Sequence, residues 1–134
     1  YALNDTLNTD CFELRRELEQ GRCVPFWEIE ALPRQKRHLL RITFINDSRL
    51  TIPSHPDGAC PVHWSWYFTG EQGRFPEAKN FIPLIADVPG KTRLSQIWEL
   101  YTPPKSGAYQ LTVQLVGDNP KEVYFQTRRP IWID

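Results

Sequence analysis

At 134 residues the chain is long enough for one domain that buries roughly two thirds of the surface its unfolded form exposes, and such a domain needs no metal or disulfide to fold. Sixteen Lys and Arg balance sixteen Asp and Glu without gathering either sign into a block, which argues against nucleic acid and anionic membrane surfaces as partners. Apolar residues make up 40% of the sequence but are broken up throughout, and no run approaches the roughly twenty needed to cross a bilayer, so a soluble chain with no membrane span is expected.

The sequence starts on Tyr1-Ala2-Leu3-Asn4 and contains no methionine, which points to a piece of a longer or processed protein whose function belongs in part to that larger assembly. Asp10, followed three residues later by Glu13, has the form of a capping box, and Cys11, Leu14 and Leu18 recur at helical spacing until Gly21 ends the run. A short helix over residues 11–20 is therefore predicted, inside an N-terminal linker of residues 1–22. Glu13, Arg15, Arg16, Glu17 and Glu19 give it a solvated, charged face.

Residues 23–134 read differently, as strands divided by proline-rich turns at the spacing of an antiparallel β-sandwich of about seven to eight strands. The twelve prolines fit such a domain and oppose a helical bundle. The predicted strands are 24–31, 39–46, 62–68, 81–84, 92–101, 108–116 and 123–126, with an edge piece at 131–133. In the second, Leu40, Ile42 and Phe44 point inward, with Arg41 and Thr43 outward. In the third, Val62, Trp64, Trp66 and Phe68 point inward, which leaves His63, Ser65 and Tyr67 on the other face. Leu94, Trp98 and Leu100 face the core from the fifth, and Ile97 and Tyr101 have the opposite parity. In the sixth, Tyr109, Leu111, Val113 and Leu115 alternate with Gln110, Thr112 and Gln114, giving one dry face and one polar, uncharged face. Residues 46–61 and 69–80 are the longest irregular stretches, and long loops at the ends of a sandwich often carry function.

Catalytic and metal-binding patterns are sparse. The three histidines, His38, His55 and His63, are far apart, and no nucleophile elbow or glycine-rich phosphate loop is present. Glu28, Glu30 and Glu99 are the only acids within predicted strands, and nothing in the sequence brings two of them together as acid and base. His55, Asp57 and His63 would meet only if their loop folded back. The chain is thus expected to be neither an enzyme nor a cofactor-binding protein. Cys11, Cys23 and Cys60 lack paired zinc spacing; they are read as three reduced thiols in a cytoplasmic chain, the other option being a Cys23–Cys60 bridge with Cys11 left over.

The stronger constellation follows from strand pairing. If strands 62–68 and 108–116 are neighbours, as strands C and F are in immunoglobulin-like sandwiches, then His63, Ser65, Tyr67, Gln110, Thr112 and Gln114 form one patch. An aromatic ring beside amide, hydroxyl and imidazole groups suits sugars, which stack CH groups on a ring and pair vicinal hydroxyls with polar side chains. Arg93, Arg128 and Arg129 are candidates for further contacts to an acidic sugar.

Four segments also carry a family resemblance. Ile42-Thr43-Phe44-Ile45-Asn46-Asp47-Ser48, then Pro61-Val62-His63-Trp64-Ser65-Trp66-Tyr67-Phe68, then Phe81-Ile82-Pro83-Leu84 with Ala86-Asp87-Val88-Pro89-Gly90, and finally Thr102-Pro103-Pro104 with Gly107-Ala108-Tyr109-Gln110-Leu111-Thr112-Val113 appear in order. Together they resemble the immunoglobulin-like accessory domains of bacterial surface-polysaccharide proteins, such as the C-terminal carbohydrate-binding domains of O-antigen ABC transporters and domains fused to glycosyltransferases. The resemblance spans residues 39–125, roughly two thirds of the chain. It implies a β-sandwich that binds the nascent polysaccharide or positions a neighbouring catalytic or transport domain. Trp66-Tyr67-Phe68 replaces the usual Tyr-His-Trp, and Gly117-Asp118-Asn119-Pro120 replaces an acidic-glycine tail, so no sugar specificity is implied.

The last segment is also similar to the tyrosine corner of immunoglobulin-like folds, with Tyr109 near the start of its strand and Leu111 where antibody-type domains carry a cysteine. The expectation is therefore a non-catalytic module for polysaccharide or oligosaccharide binding; the alternative is a structural module that docks other domains of its parent chain or forms a homodimer through an edge strand.

Overall fold

The computed structural model describes residues 16, 23–26, 31–54, 62–117 and 123–134, the backbone alone at 23–26 and 125. The helix expected at 11–20 lies outside these residues apart from Arg16, as do His55, Asp57, Glu28, Glu30, Cys11 and Cys60. Eight strands are present: β1 (Cys23–Phe26), β2 (Arg37–Asn46), β3 (His63–Gly70), β4 (Gly73–Phe75), β5 (Ile82–Pro83), β6 (Thr92–Tyr101), β7 (Gly107–Val116) and β8 (Val123–Ile133). They form two antiparallel sheets, one of order β1-β2-β6 and one of order β4-β3-β7-β8 in which β5 also pairs with β3. The architecture is an antiparallel β-sandwich of the immunoglobulin-like type, with β3 and β7 neighbours as expected.

Period-2 alternation sets the core. Leu40, Ile42 and Phe44 of β2, Trp98 and Leu100 of β6, Trp64, Trp66 and Phe68 of β3, and Leu111, Val113 and Leu115 of β7 are all buried. Phe44 meets Trp64 edge-on at 5.1 Å between ring centroids, and Trp64 lies 5.7 Å from Trp98, so the two sheets are joined through aromatic contacts. Ile97 and Tyr101 take the opposite parity on β6 and are exposed.

Two expectations need correction. The segments 123–126 and 131–133 are one strand, β8, which runs without a break through Arg128, Arg129 and Pro130. Pro130 is tolerated because β8 is the outer strand of its sheet, where half of the N–H groups face away from any ladder. The stretch 69–80 is not all loop. Glu71 and Gln72 turn the chain tightly between Gly70 and Gly73, whose φ is +104°, and β4 then pairs back onto β3.

Polar side chains fasten the connections. Asn46 is fully buried; its Nδ2 donates to the carbonyls of Leu50 (2.8 Å), Val88 (2.9 Å) and Pro89 (3.3 Å), and its Oδ1 accepts from the N–H and hydroxyl of Ser48. This clamp joins the end of β2 to the Pro89-Gly90 turn. A Cβ at Gly90 would lie 2.8 Å from the Ser48 carbonyl oxygen, so the turn packs against the clamp too closely for a side chain. Thr102, also fully buried, donates to Pro33 and Lys36 carbonyls and accepts from the Lys36 N–H. Tyr109 forms the corner that its segment suggests, donating its hydroxyl to the Lys105 carbonyl at 2.8 Å.

Candidate functional site

The β3–β7 register decides which side chains share a face. Ser65 pairs with Gln114, Tyr67 with Thr112, Thr69 with Gln110, and His63 with Val116. Directly opposed residues project from the same side of a sheet, so His63, Ser65, Tyr67, Gln110, Thr112 and Gln114 all lie on the outer face of the five-stranded sheet. On β8, Gln126, Arg128, Pro130 and Trp132 extend that face, opposite Gln114, Thr112, Gln110 and Ala108.

The six residues are not equally accessible. Thr112 is 1% exposed and Ser65 is 4% exposed, because short hydroxyl side chains sit low between longer cross-strand neighbours. His63 packs edge-on against Phe81, with ring centroids 5.8 Å apart. Gln114 donates from Nε2 to Gln126 Oε1 at 2.9 Å, which fixes both amides on the surface. Tyr67 is half-buried, and the Arg74 guanidinium lies 3.7 Å from its ring centroid. One face of that ring is therefore already covered by a cation.

A cup of about 90 Å³ opens among these groups, lined by Ser65, Arg74, Lys79, Phe81, Gln114, Val116 and Val123. Its floor carries the Ser65 hydroxyl, which has no hydrogen-bond partner among the described residues. Its rim is fixed from behind. Asn80 accepts from the Trp66 N–H and donates to the Trp66 carbonyl, both at 2.9 Å, in the manner of a paired strand residue. Lys79 and Phe81, on either side of Asn80, are thereby held over the outer face.

Farther along the same face, two adjoining depressions surround Glu71, Ala108 and Tyr109. One, of about 450 Å³, includes Thr69, Gln110 and Pro130, and the other, of about 320 Å³, includes Lys105, Ser106 and Trp132. Trp132 is 54% exposed, a large apolar surface beside acid, amide and hydroxyl groups. From Gln114 to Ala108 the face runs six residues, about 20 Å.

Sequence patterns did not single out Arg74, Lys79, Phe81 or Trp132. The signal for Trp132 was present, since Ile131 and Ile133 are core residues and alternation turns the residue between them outward. Arg74 depends on the two-residue turn that places it opposite Thr69. Of the candidate arginines, Arg128 lies on this face; Arg129 pairs with core-facing Leu111, and Arg93 belongs to the other sheet, so those two are not part of the patch. Among the described residues no group of three or more His, Cys, Asp and Glu side chains converges, and no helix is long and apolar enough to cross a membrane.

No protein-family model matches the chain, and no curated protein sequence matches it. Solved structures resemble it in fold. Red sea bream transglutaminase matches with a TM-score of 0.57 and 11% identity over 84% of this chain. The chain spans only 15% of that protein's length. The CARDB domain of the PF1109 protein from Pyrococcus furiosus, solved in complex with di-metal ions, matches with a TM-score of 0.50 and 11% identity, covering 84% of this chain and 85% of that one. At such identities the property shared with both is the β-sandwich.

Proposed function

We propose that this domain is a non-catalytic carbohydrate-binding module of a bacterial polysaccharide biosynthesis or export protein, acting in the cytoplasm beside a glycosyltransferase or transport domain of the same parent chain. One observation carries the proposal. The outer face of the five-stranded sheet combines paired amides at Gln114 and Gln126, a cup floored by a Ser65 hydroxyl that has no partner among the described residues, and an exposed Trp132 about 20 Å away along β7. A run of several sugar units suits a face of that length better than a single sugar does. The resemblance of residues 39–125 to domains of surface-polysaccharide proteins points the same way.

The contact set narrows from the six residues of the pattern. Thr112 is closed off by its neighbours, His63 packs against Phe81 and does not line the cup, and Tyr67 presents only the ring face that Arg74 leaves open. Ser65, Gln110 and Gln114, with Phe81 and Trp132 as the stacking rings, are left to meet a glycan. Titrating isotope-labelled protein with bacterial surface oligosaccharides of several units is expected to shift the Gln110 and Gln114 amides and the Trp132 indole together. Oligosaccharides at millimolar concentration that move none of these resonances end the proposal.

A second reading rests on the opposite sheet. Leu39 is 73% exposed, and Ile97 and Tyr101 are 48% and 44% exposed. Leu39 pairs with Glu99, which places Ile97 and Tyr101 diagonally beside it on one face. Such an apolar group suits docking of a neighbouring domain. A Leu39→Glu variant that still binds the separately expressed remainder of the parent chain as the native domain does rules this reading out.

A further inference from the structure

We infer that the cup between β3 and β7 selects a negatively charged substituent, so that the glycan bound by this face is an acidic one; this rests on the carbohydrate reading and names its substrate class. Three observations lead there. First, the rim of the cup carries two cations, Arg74 and Lys79, and among the described residues neither has a carboxylate within ion-pair distance. Among the described residues that line the recess there are two cations and no acid, a local excess that an anion would neutralise. Second, Arg74 is held in place before any ligand arrives. Arg74 is stacked on Tyr67, so it loses little side-chain freedom on binding, and the Asn80 grip on the Trp66 backbone sets where the chain at Lys79 runs.

The third observation is size. At about 90 Å³ the cup is much smaller than the depressions of about 320 and 450 Å³ farther along the face, and it suits a compact group such as a carboxylate or phosphate. In the proposed complex the charged substituent enters the cup and the sugar ring rests against Phe81 on its rim. Inside, the Ser65 hydroxyl donates to one anionic oxygen from the floor, the Arg74 guanidinium offers paired N–H donors to the planar edge of a carboxylate, and the Lys79 ammonium supplies a point charge. Gln114 keeps its bond to Gln126 and borders the cup without having to turn.

The test uses three probes on the whole domain: a trimer of galacturonic acid, the neutral galactose trimer of equal length, and glucose 6-phosphate. The uronic trimer is expected to bind about tenfold more tightly than the neutral one, and its affinity to fall as salt rises while that of the neutral trimer stays constant. Arg74→Gln and Lys79→Gln are each expected to weaken the acidic trimer about threefold to fivefold without weakening the neutral trimer, whose affinity Lys79→Gln leaves unchanged. Both side chains are exposed, so these variants fold. Tighter binding of glucose 6-phosphate than of the uronic trimer assigns the cup to a phosphate-bearing sugar. Equal affinity for acidic and neutral trimers, or equal losses in the variants for both, overturns the inference and leaves the carbohydrate reading standing. No binding by any probe, together with silence at Trp132, overturns both.

Discussion

Arg74 lies with its guanidinium 3.7 Å from the centroid of the Tyr67 ring, although the two residues are on different strands and neither is charged against the other. Their contact converts a tyrosine that would otherwise be an open platform into a fixed support for a cation. An Arg74→Ala variant is expected to lose about 0.5–1 kcal/mol of stability, the scale of an exposed cation–π pair. The Tyr67 ring should at the same time become more reactive toward aqueous nitrating reagents. Unchanged Tyr67 reactivity in peptide mapping would show that the contact does not shield the ring in solution.

Asn46 offers a sharper measurement. Its amide is fully buried and links three carbonyls with the Ser48 N–H and hydroxyl, so truncation orphans several groups at once. Asn46→Ala is expected to cost about 3 kcal/mol or more, read as a shifted midpoint in urea at constant slope. The loss should leave the Gln114 and Trp132 resonances near their native positions at temperatures where the variant is folded, since the clamp joins β2 to the Pro89-Gly90 turn and lies away from the outer face of the other sheet.

Gly70 and Tyr109 are expected to be energetically coupled. A Cβ at position 70 would sit 2.6 and 2.7 Å from two carbons of the Tyr109 ring, well inside any tolerable contact. Gly70→Ala should therefore destabilise by about 1–3 kcal/mol, the range of overpacking. Tyr109→Ala in the same chain should remove most of that penalty, and a double-mutant cycle by chemical denaturation measures the difference. Additive costs would mean that the ring moves aside without strain.

Thr102→Val tests the junction between residues 33–36 and the end of β6. The substitution keeps the shape but removes a hydroxyl that donates to Pro33 and accepts from the Lys36 N–H. About 1–3 kcal/mol of destabilisation is expected, because the Lys36 N–H and the Pro33 carbonyl lose their partner. Calorimetry of the variant beside Thr102→Ser, which restores the hydroxyl and should recover most of the loss, separates the hydrogen bonds from packing.

These cases also show why some features could be read from the sequence and others could not. Alternation of Trp64, Trp66 and Phe68 against Ser65 and Tyr67 is a one-dimensional signal, and pairing β3 with β7 turned it into a shared face without further information. The Lys105–Tyr109 corner was visible for the same local reason. The cup was not visible, because it depends on contacts between residues far apart in the chain. Lys79 reaches the face only through Asn80 gripping the Trp66 backbone, fourteen positions earlier, and a side chain standing in for a strand leaves no periodic trace. Likewise, the joining of 123–126 to 131–133 through Pro130 depends on β8 being an outer strand, which only the sheet order shows.

The Asn80 grip has an implication for how such a domain changes over time. β3 is held along its outer border by three separate clasps: β4 at residues 68–70, the Asn80 side chain at Trp66, and β5 at residues 63 and 64. Between the first two clasps, residues 77–79 are exposed and contribute nothing to the interior. Insertions or exchanges there would reshape one wall of the recess while every packed side chain keeps its neighbours, so ligand preference can diverge among descendants of this chain at almost no thermodynamic penalty.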